Sequence, residues 1–159
     1  MTSNKKFFKG SNEIPVDEFF NRVLYDKKIG YYSSNLPFGN SGDFLTSPGI
    51  SSLFSEIIGI WLISVWHTLG KPKNFNVVEL GPGDGSLTKI LIKTFKKFPE
   101  FDHTIKIFLY EKSKLLKNLQ KKNISNSKIK WINNFSSINS GPVIFFGNEF
   151  FDAIPIKQF

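Results

Sequence analysis

The chain has 159 residues, 40% hydrophobic and 16% aromatic, which allows one domain with a real core and excludes a disordered chain. It has no cysteine, so disulfides, thiolate metal sites and cysteine nucleophiles are excluded, which suits a reducing compartment. The formal charge of +8 invites a nucleic-acid partner, but Arg22 is the only arginine, and base reading and phosphate clamping favour the guanidinium fork. The lysine excess therefore predicts a solvated basic face, with nucleic acid a disfavoured partner.

Met1 to Gly10 is basic but lacks the apolar stretch of a signal peptide. The first helix is expected from about Pro15 to Lys28. Phe19, Phe20, Val23 and Leu24 form its apolar stripe, and Gly30 can end it. A loop follows from Tyr31 to Ser47. Ser47 and Pro48 then suggest the cap and first turn of a second helix, running to Leu69 and stopped by Gly70 and Pro72. Within it, Ile57 to Trp66 is too short to span a bilayer and predicts a buried helix.

From here the pattern changes to short apolar runs alternating with amphipathic stretches. Strands are expected at Asn76–Leu80, Ile105–Tyr110, Lys128–Ile132 and Val143–Phe146. Helices are expected at Ser86–Phe98, with Leu87, Ile90, Leu91 and Phe95 on one face, and at Lys112–Lys122, with Leu115, Leu116 and Leu119 facing in. This order predicts an open parallel α/β sheet covered by helices. Residues 1–70 read as an N-terminal helical segment with a cleft loop, and 71–159 as the first half of a Rossmann-like domain.

The sharpest local signal is Val77-Val78-Glu79-Leu80-Gly81-Pro82-Gly83-Asp84-Gly85, a buried strand ending in an acid and a glycine-rich turn that opens a helix. Such a turn brings backbone close to a ligand and offers free helix-start amides. It can serve a dinucleotide or S-adenosylmethionine. Dinucleotide folds favour G-x-G-x-x-G/A, whereas here the glycines fall at Gly81, Gly83 and Gly85. Glu79, two residues before Gly81, can accept hydrogen bonds from a cofactor ammonium. The alternative is an ordinary tight turn; the acid, strand and helix together favour S-adenosylmethionine.

Glu111 directly follows the second strand, where open sheets bind ligands, and can accept bonds from both ribose hydroxyls. Its other role is to cap the next helix. Asn133 and Asn134, after the third strand, either read an adenine edge or form a polar turn. His67 and His103 have no ligand partners in pattern, and no metal site is expected.

These residues, taken in order, resemble the MidA-like S-adenosylmethionine-dependent methyltransferases, which include a mitochondrial complex I assembly factor acting on a protein arginine. The matching stretches are Gly30-Tyr31-Tyr32, Gly42 to Pro48, Glu79 to Gly85, Glu111 with Ser113, and Asn148-Glu149-Phe150-Phe151-Asp152-Ala153-Ile154-Pro155. The resemblance implies a Rossmann-like class I methyltransferase fold with an N-terminal helical segment, and S-adenosylmethionine as cofactor. It implies a protein substrate, possibly a respiratory-complex subunit, and a cytoplasmic site in a bacterium or the mitochondrial matrix in a eukaryote. The segment holding Tyr32 and Asp43 would fold over the cofactor cleft, placing Asp43 with Glu79, Gly81, Gly83, Gly85 and Glu111 as cofactor-binding residues.

In this fold class the end of the fourth strand faces the methyl group. Glu149 there can orient a guanidinium, with Asn148 and Asp152 beside it; alternatively Glu149 and Asp152 only start the next helix or loop. An RNA methyltransferase and a non-catalytic assembly factor with a partial cofactor site are the competing readings. Gly49 stands where the family usually has an acid. The family's chains continue well past the Asn-Glu-Phe-Phe-Asp motif, so this chain is expected to be truncated after the fourth strand and to have little methyl-transfer activity alone.

Overall fold

The computed structural model describes residues 13–34, 51–125 and 128–158. Two short helices come first, α1 (Val16–Tyr25) and α2 (Tyr31–Ser34). Then follow α3 (Ser52–Thr68), β1 (Phe75–Leu80), α4 (Ser86–Phe95), α5 (Pro99–Thr104), β2 (Ile105–Tyr110), α6 (Lys114–Asn123), β3 (Ile129–Ile132) and β4 (Val143–Phe146). Single 3-10 turns at Phe135–Ser137 and Phe151–Ala153 follow β3 and β4.

All four predicted strands form, within one residue of their expected starts, and all pair in parallel in the order β3-β2-β1-β4. The chain leaves β1 towards β2 on one side and returns through β4 on the other. The strand order therefore reverses at β1, and a ligand crevice is expected beyond the carboxyl ends of the strands there. The register brings those ends level: Leu80 pairs with Tyr110, and Glu79 with Phe146. Gly81, Glu111 and Gly147 are thus the first or second residues past one common edge.

Side-chain alternation splits the apolar residues between two faces. Phe75, Val77, Ile107 and Leu109 join Leu62, Ile63 and Trp66 of α3, Leu87, Leu91 and Phe95 of α4, and Phe101 in the main core. Phe101 sits at the centre of an aromatic cluster, its ring centroid 4.9 Å from Phe95 and 5.4 Å from Trp66. Gly59 lets α3 lie directly on α4, since a Cβ there would fall 3.0 Å from Thr94 Cγ2. On the other face Val78, Phe108 and Ile132 form a smaller cluster with Tyr110, Ile138 and Val143.

Several expectations need correction. α1 is shorter than predicted and buries no residue fully; Phe19 is exposed. α3 starts at Ser52, capped by Ser51, whose hydroxyl accepts from Leu53 N at 3.2 Å. Ser47 and Pro48 lie outside the described residues. The opening of the predicted loop is the helical turn α2. The helix expected to reach Phe98 ends at Phe95, and Pro99 starts the separate α5, because a proline disfavours helical backbone in the residue before it. In α6 Ser113 is the N-cap, and the face turned inward carries Leu116 and Gln120 rather than Leu115, which is exposed. No helix among the described residues is long and apolar enough to cross a membrane.

Candidate functional site

β1 ends in a turn whose geometry depends on glycine. Gly81, Gly83 and Gly85 have φ of 62°, 56° and 84°, in the left-handed region that side chains resist. Gly81 N donates to Tyr110 O at 3.0 Å, tying the turn to β2. Asp84 closes it, accepting from Ser86 N at 2.9 Å and from the Ser86 hydroxyl at 2.7 Å. Gly85 N donates to Pro82 O at 2.8 Å, and α4 then begins.

Glu79 is 3% exposed. Burial pushes its carboxyl up to about 7; the Thr88 hydroxyl, which donates to Oε2, opposes that rise, and nearby Asp84 adds to it. Glu111 is fixed at both oxygens: Oε1 accepts from Ser113 N at 2.8 Å and Oε2 from Gln120 Nε2 at 3.3 Å. Burial raises its pKa as well, outweighing those bonds.

The third wall is the segment after β4. Phe150 packs its ring over Gly81, where a Cβ would fall 2.7 Å from Phe150 Cδ2. Glu149 has a φ of 52°, a left-handed conformation that costs a non-glycine residue about 1–2 kcal/mol. Asn148 Nδ2 reaches Glu149 Oε1 at 3.4 Å. The fourth wall comes from α1 and α2. The Tyr25 hydroxyl donates to Ala153 O at 2.7 Å across the chain, its ring stacks on Tyr32 at 5.7 Å, and Lys112 Nζ lies 5.2 Å from the Tyr25 ring centroid. Burial raises the Tyr25 pKa to about 12 and raises that of Tyr32, with Glu111 adding to both.

These walls enclose a cleft of about 630 Å³. Of the residues singled out in the sequence, Glu79, Gly81, Gly83, Glu111, Asn148, Glu149 and Asp152 all line it. Gly85 does not; it lies behind the turn, where a Cβ would meet Ile124 Cδ1 at 2.5 Å. Asp43 lies outside the described residues. Asn133 and Asn134 are exposed and serve the polar turn: Asn133 Oδ1 accepts from Lys117 Nζ at 2.6 Å, and Asn134 Oδ1 from the Ser136 hydroxyl at 2.5 Å. His67 and His103 are exposed and remote from the cleft. Phe20, Leu24 and Tyr25 of α1 also line the cleft; the sequence marked the first two only as part of an apolar stripe and gave no signal for Tyr25.

Chemically, the cleft offers two buried or half-buried carboxylates at neighbouring strand ends, a backbone turn between them, and two more acids, Glu149 and Asp152, at one side. Among the described residues Lys112 is the only cationic one in its wall. A set of acceptors of this kind fits a ligand with an ammonium and a diol, such as S-adenosylmethionine, and a cationic group beside it. Among the described residues no group of three histidine, aspartate or glutamate side chains is placed to hold a metal ion.

Comparison with known proteins gives a consistent answer. The model of a family of S-adenosyl-L-methionine-dependent methyltransferases matches residues 57–159. The chain is 34% identical to the mitochondrial protein arginine methyltransferase NDUFAF7 homolog of Drosophila melanogaster, over 91% of this chain and 38% of that protein. It is 31% identical to human protein arginine methyltransferase NDUFAF7, over 95% of this chain and 40% of that one. The chain thus spans about two fifths of the length of the curated relatives it matches. A crystal structure from Burkholderia thailandensis, bound to S-adenosyl-homocysteine, superposes with a TM-score of 0.74 at 25% identity, over 89% of this chain and 38% of that one.

Proposed function

The chain belongs to the S-adenosyl-L-methionine-dependent methyltransferase family, and we propose on that premise that it binds S-adenosylmethionine in the cleft at the carboxyl edge of its sheet and serves methyl transfer to a protein arginine. The observation that supports this reading best is the meeting of Glu79, the Gly81–Gly83 turn, Glu111 and Glu149 in one cleft. They come from strand ends far apart in sequence, and an accident of turn chemistry at β1 alone would not assemble them.

When bound, S-adenosylmethionine supplies an electrophilic methyl group on a good leaving group. The chain's own residues do the rest. Glu79 accepts from the cofactor ammonium, Glu111 from the ribose hydroxyls, and the Gly81–Gly83 backbone closes on the space between. Glu149, with Asn148 and Asp152 beside it, would hold and orient a guanidinium, one nitrogen of which would take the methyl group as the sulfonium's S–C bond breaks and would give up its proton. Orientation and exclusion of water carry such a displacement. By the same reading the acceptor is a protein, which the names of the relatives support; a respiratory-complex subunit is one candidate. The compartment would be the mitochondrial matrix in a eukaryote, as those names suggest, and the cytoplasm in a bacterium.

Calorimetry with S-adenosylhomocysteine and NADH tests the cofactor. We expect binding of the first only, and tighter binding of NADH would overturn the reading. Methylation of protein and RNA pools by the whole protein, with radiolabelled cofactor and amino-acid analysis of the product, tests the acceptor. Label recovered in methylarginine is expected; label in RNA alone would favour the nucleic-acid alternative.

A further inference from the structure

We propose that Gln120 is a positioning residue for the cofactor: its side-chain amide locks the glycine turn to the Glu111 carboxylate, so that turn and acid meet the ligand as one preformed unit. This rests on the cofactor reading above and goes beyond it, since nothing in the motif or in the relatives' names points to α6.

Gln120 is fully buried in the middle of α6. A buried primary amide needs partners at both ends. Its Nε2 donates to Gly83 O at 2.8 Å and to Glu111 Oε2 at 3.3 Å, while its Oε1 accepts from Trp131 Nε1 at 2.9 Å. The orientation of the amide is not arbitrary. An indole N–H can only donate, so Trp131 must face the carbonyl oxygen, and the two amide hydrogens are thereby aimed at the turn and the acid. One helical turn further on the same face, Asn123 Nδ2 donates to Asp84 O at 2.9 Å. Thus α6 holds the outer side of the glycine turn at two successive carbonyls.

Glu111 needs this help. Its backbone partners are its own chain neighbours Ser113 and Lys112, and Gln120 is the side chain that ties Oε2 to another element. A free carboxylate would turn about its last bond and would have to be ordered again when a ribose arrived. Fixing it beforehand moves that ordering cost from binding to folding. Gln120 does not itself line the cleft but bonds two residues that do, so its effect runs through Glu111 and Gly83.

The test is a double-mutant cycle on S-adenosylhomocysteine affinity, measured by calorimetry on the full chain with Gln120→Met, Glu111→Gln and the pair. Gln120→Met keeps length and burial but drops every hydrogen bond. It should weaken binding on the order of tenfold in the parent chain and by much less once Glu111→Gln has removed the carboxylate it orients. Trp131→Phe, which keeps an aromatic ring but frees the amide to flip, should give a loss in the same direction. It decides the matter if circular dichroism shows that Gln120→Met does not fold. Unchanged affinity in both variants, or a Gln120→Met loss as large in the Glu111→Gln background, would overturn the positioning role. No binding by the parent chain would instead overturn the cofactor reading itself.

Discussion

Glu79 should make this protein less stable as pH rises, and Glu79→Gln should remove that dependence. The carboxyl is 3% exposed, and its pKa rises from 4.5 to about 7 on folding. Below about pH 4.5 folded and unfolded chains both carry the proton, and the residue costs the fold nothing electrostatically. Between there and about pH 7 only the unfolded chain ionises, so stability falls with pH. Above about pH 7 both are ionised and the loss has reached its full size, about 3 kcal/mol. Glutamine keeps the volume and an oxygen for the Thr88 hydroxyl but cannot ionise. The stability of Glu79→Gln relative to the parent should therefore grow by up to about 3 kcal/mol between pH 5 and 8. Urea unfolding followed by tryptophan fluorescence at four pH values in that range measures it. A difference that stays constant with pH would refute the argument, because it would mean Glu79 ionises as easily inside as out. The same group ties ligand to pH. A cofactor ammonium favours the ionised carboxylate, so S-adenosylhomocysteine should bind tighter as pH climbs towards 7 and should release a proton as it does.

Gly81→Ala places a Cβ at a φ of 62° and 2.7 Å from Phe150 Cδ2; we expect a loss of about 1–2 kcal/mol in stability and a larger fall in methyl transfer than in cofactor binding, read by melting curves, calorimetry and label transfer. Glu149→Asn relaxes a left-handed residue, so it should raise stability by a fraction of about 1 kcal/mol while reducing transfer to arginine; unchanged transfer would remove Glu149 from the substrate site. Tyr25→Phe deletes the hydroxyl that binds Ala153 O at 2.7 Å; a loss of about 1 kcal/mol and faster limited proteolysis within 13–34 are expected, and an unchanged cleavage rate would show that this bond does not hold α1 in place.

What was legible in the sequence follows from how far each signal reaches along the chain. The strands were legible because each is a short, mostly apolar run, β1 and β2 largely buried and β3 and β4 partly so, and their ends marked the edge at which the cleft opens. Glu79, Glu111 and Glu149 were legible as cleft-lining acids because Glu79 is the last residue but one of such a run and the other two lie one and three residues past theirs. The inward face of α6 was not. Its buried positions are Leu116 and Gln120, and a glutamine among lysines and asparagines looks like surface until its three partners are in view. Leu115 misled for the converse reason, since an apolar side chain next to the true stripe shifts the apparent phase of a helix only ten residues long. Pro99 marks the start of α5, and nothing in the apolar stripe of α4 marks its end at Phe95. The clamp of α1 over the cleft, from Tyr25 to Ala153, spans 128 positions, and no local pattern encodes it.

Charge shows the same limit in another form. Summed over the chain it is +8, which by itself favours phosphate-bearing partners. Among the described residues the cleft has the opposite sign: Glu79, Asp84, Glu111, Glu149 and Asp152 line it, against Lys112 alone, whose ammonium lies over the Tyr25 ring. The lysines of α6 illustrate the separation. Lys114, Lys121 and Lys122 are exposed, whereas Gln120 on the same helix turns inward to the cleft's own framework. A phosphate drawn to the outer surface would meet carboxylates at the place where a reacting group must sit, while a guanidinium would meet favourable charge there. The local sign, set by which strand ends the sheet brings level, favours on the proposed reading a cationic acceptor where the total charge would favour an anionic one.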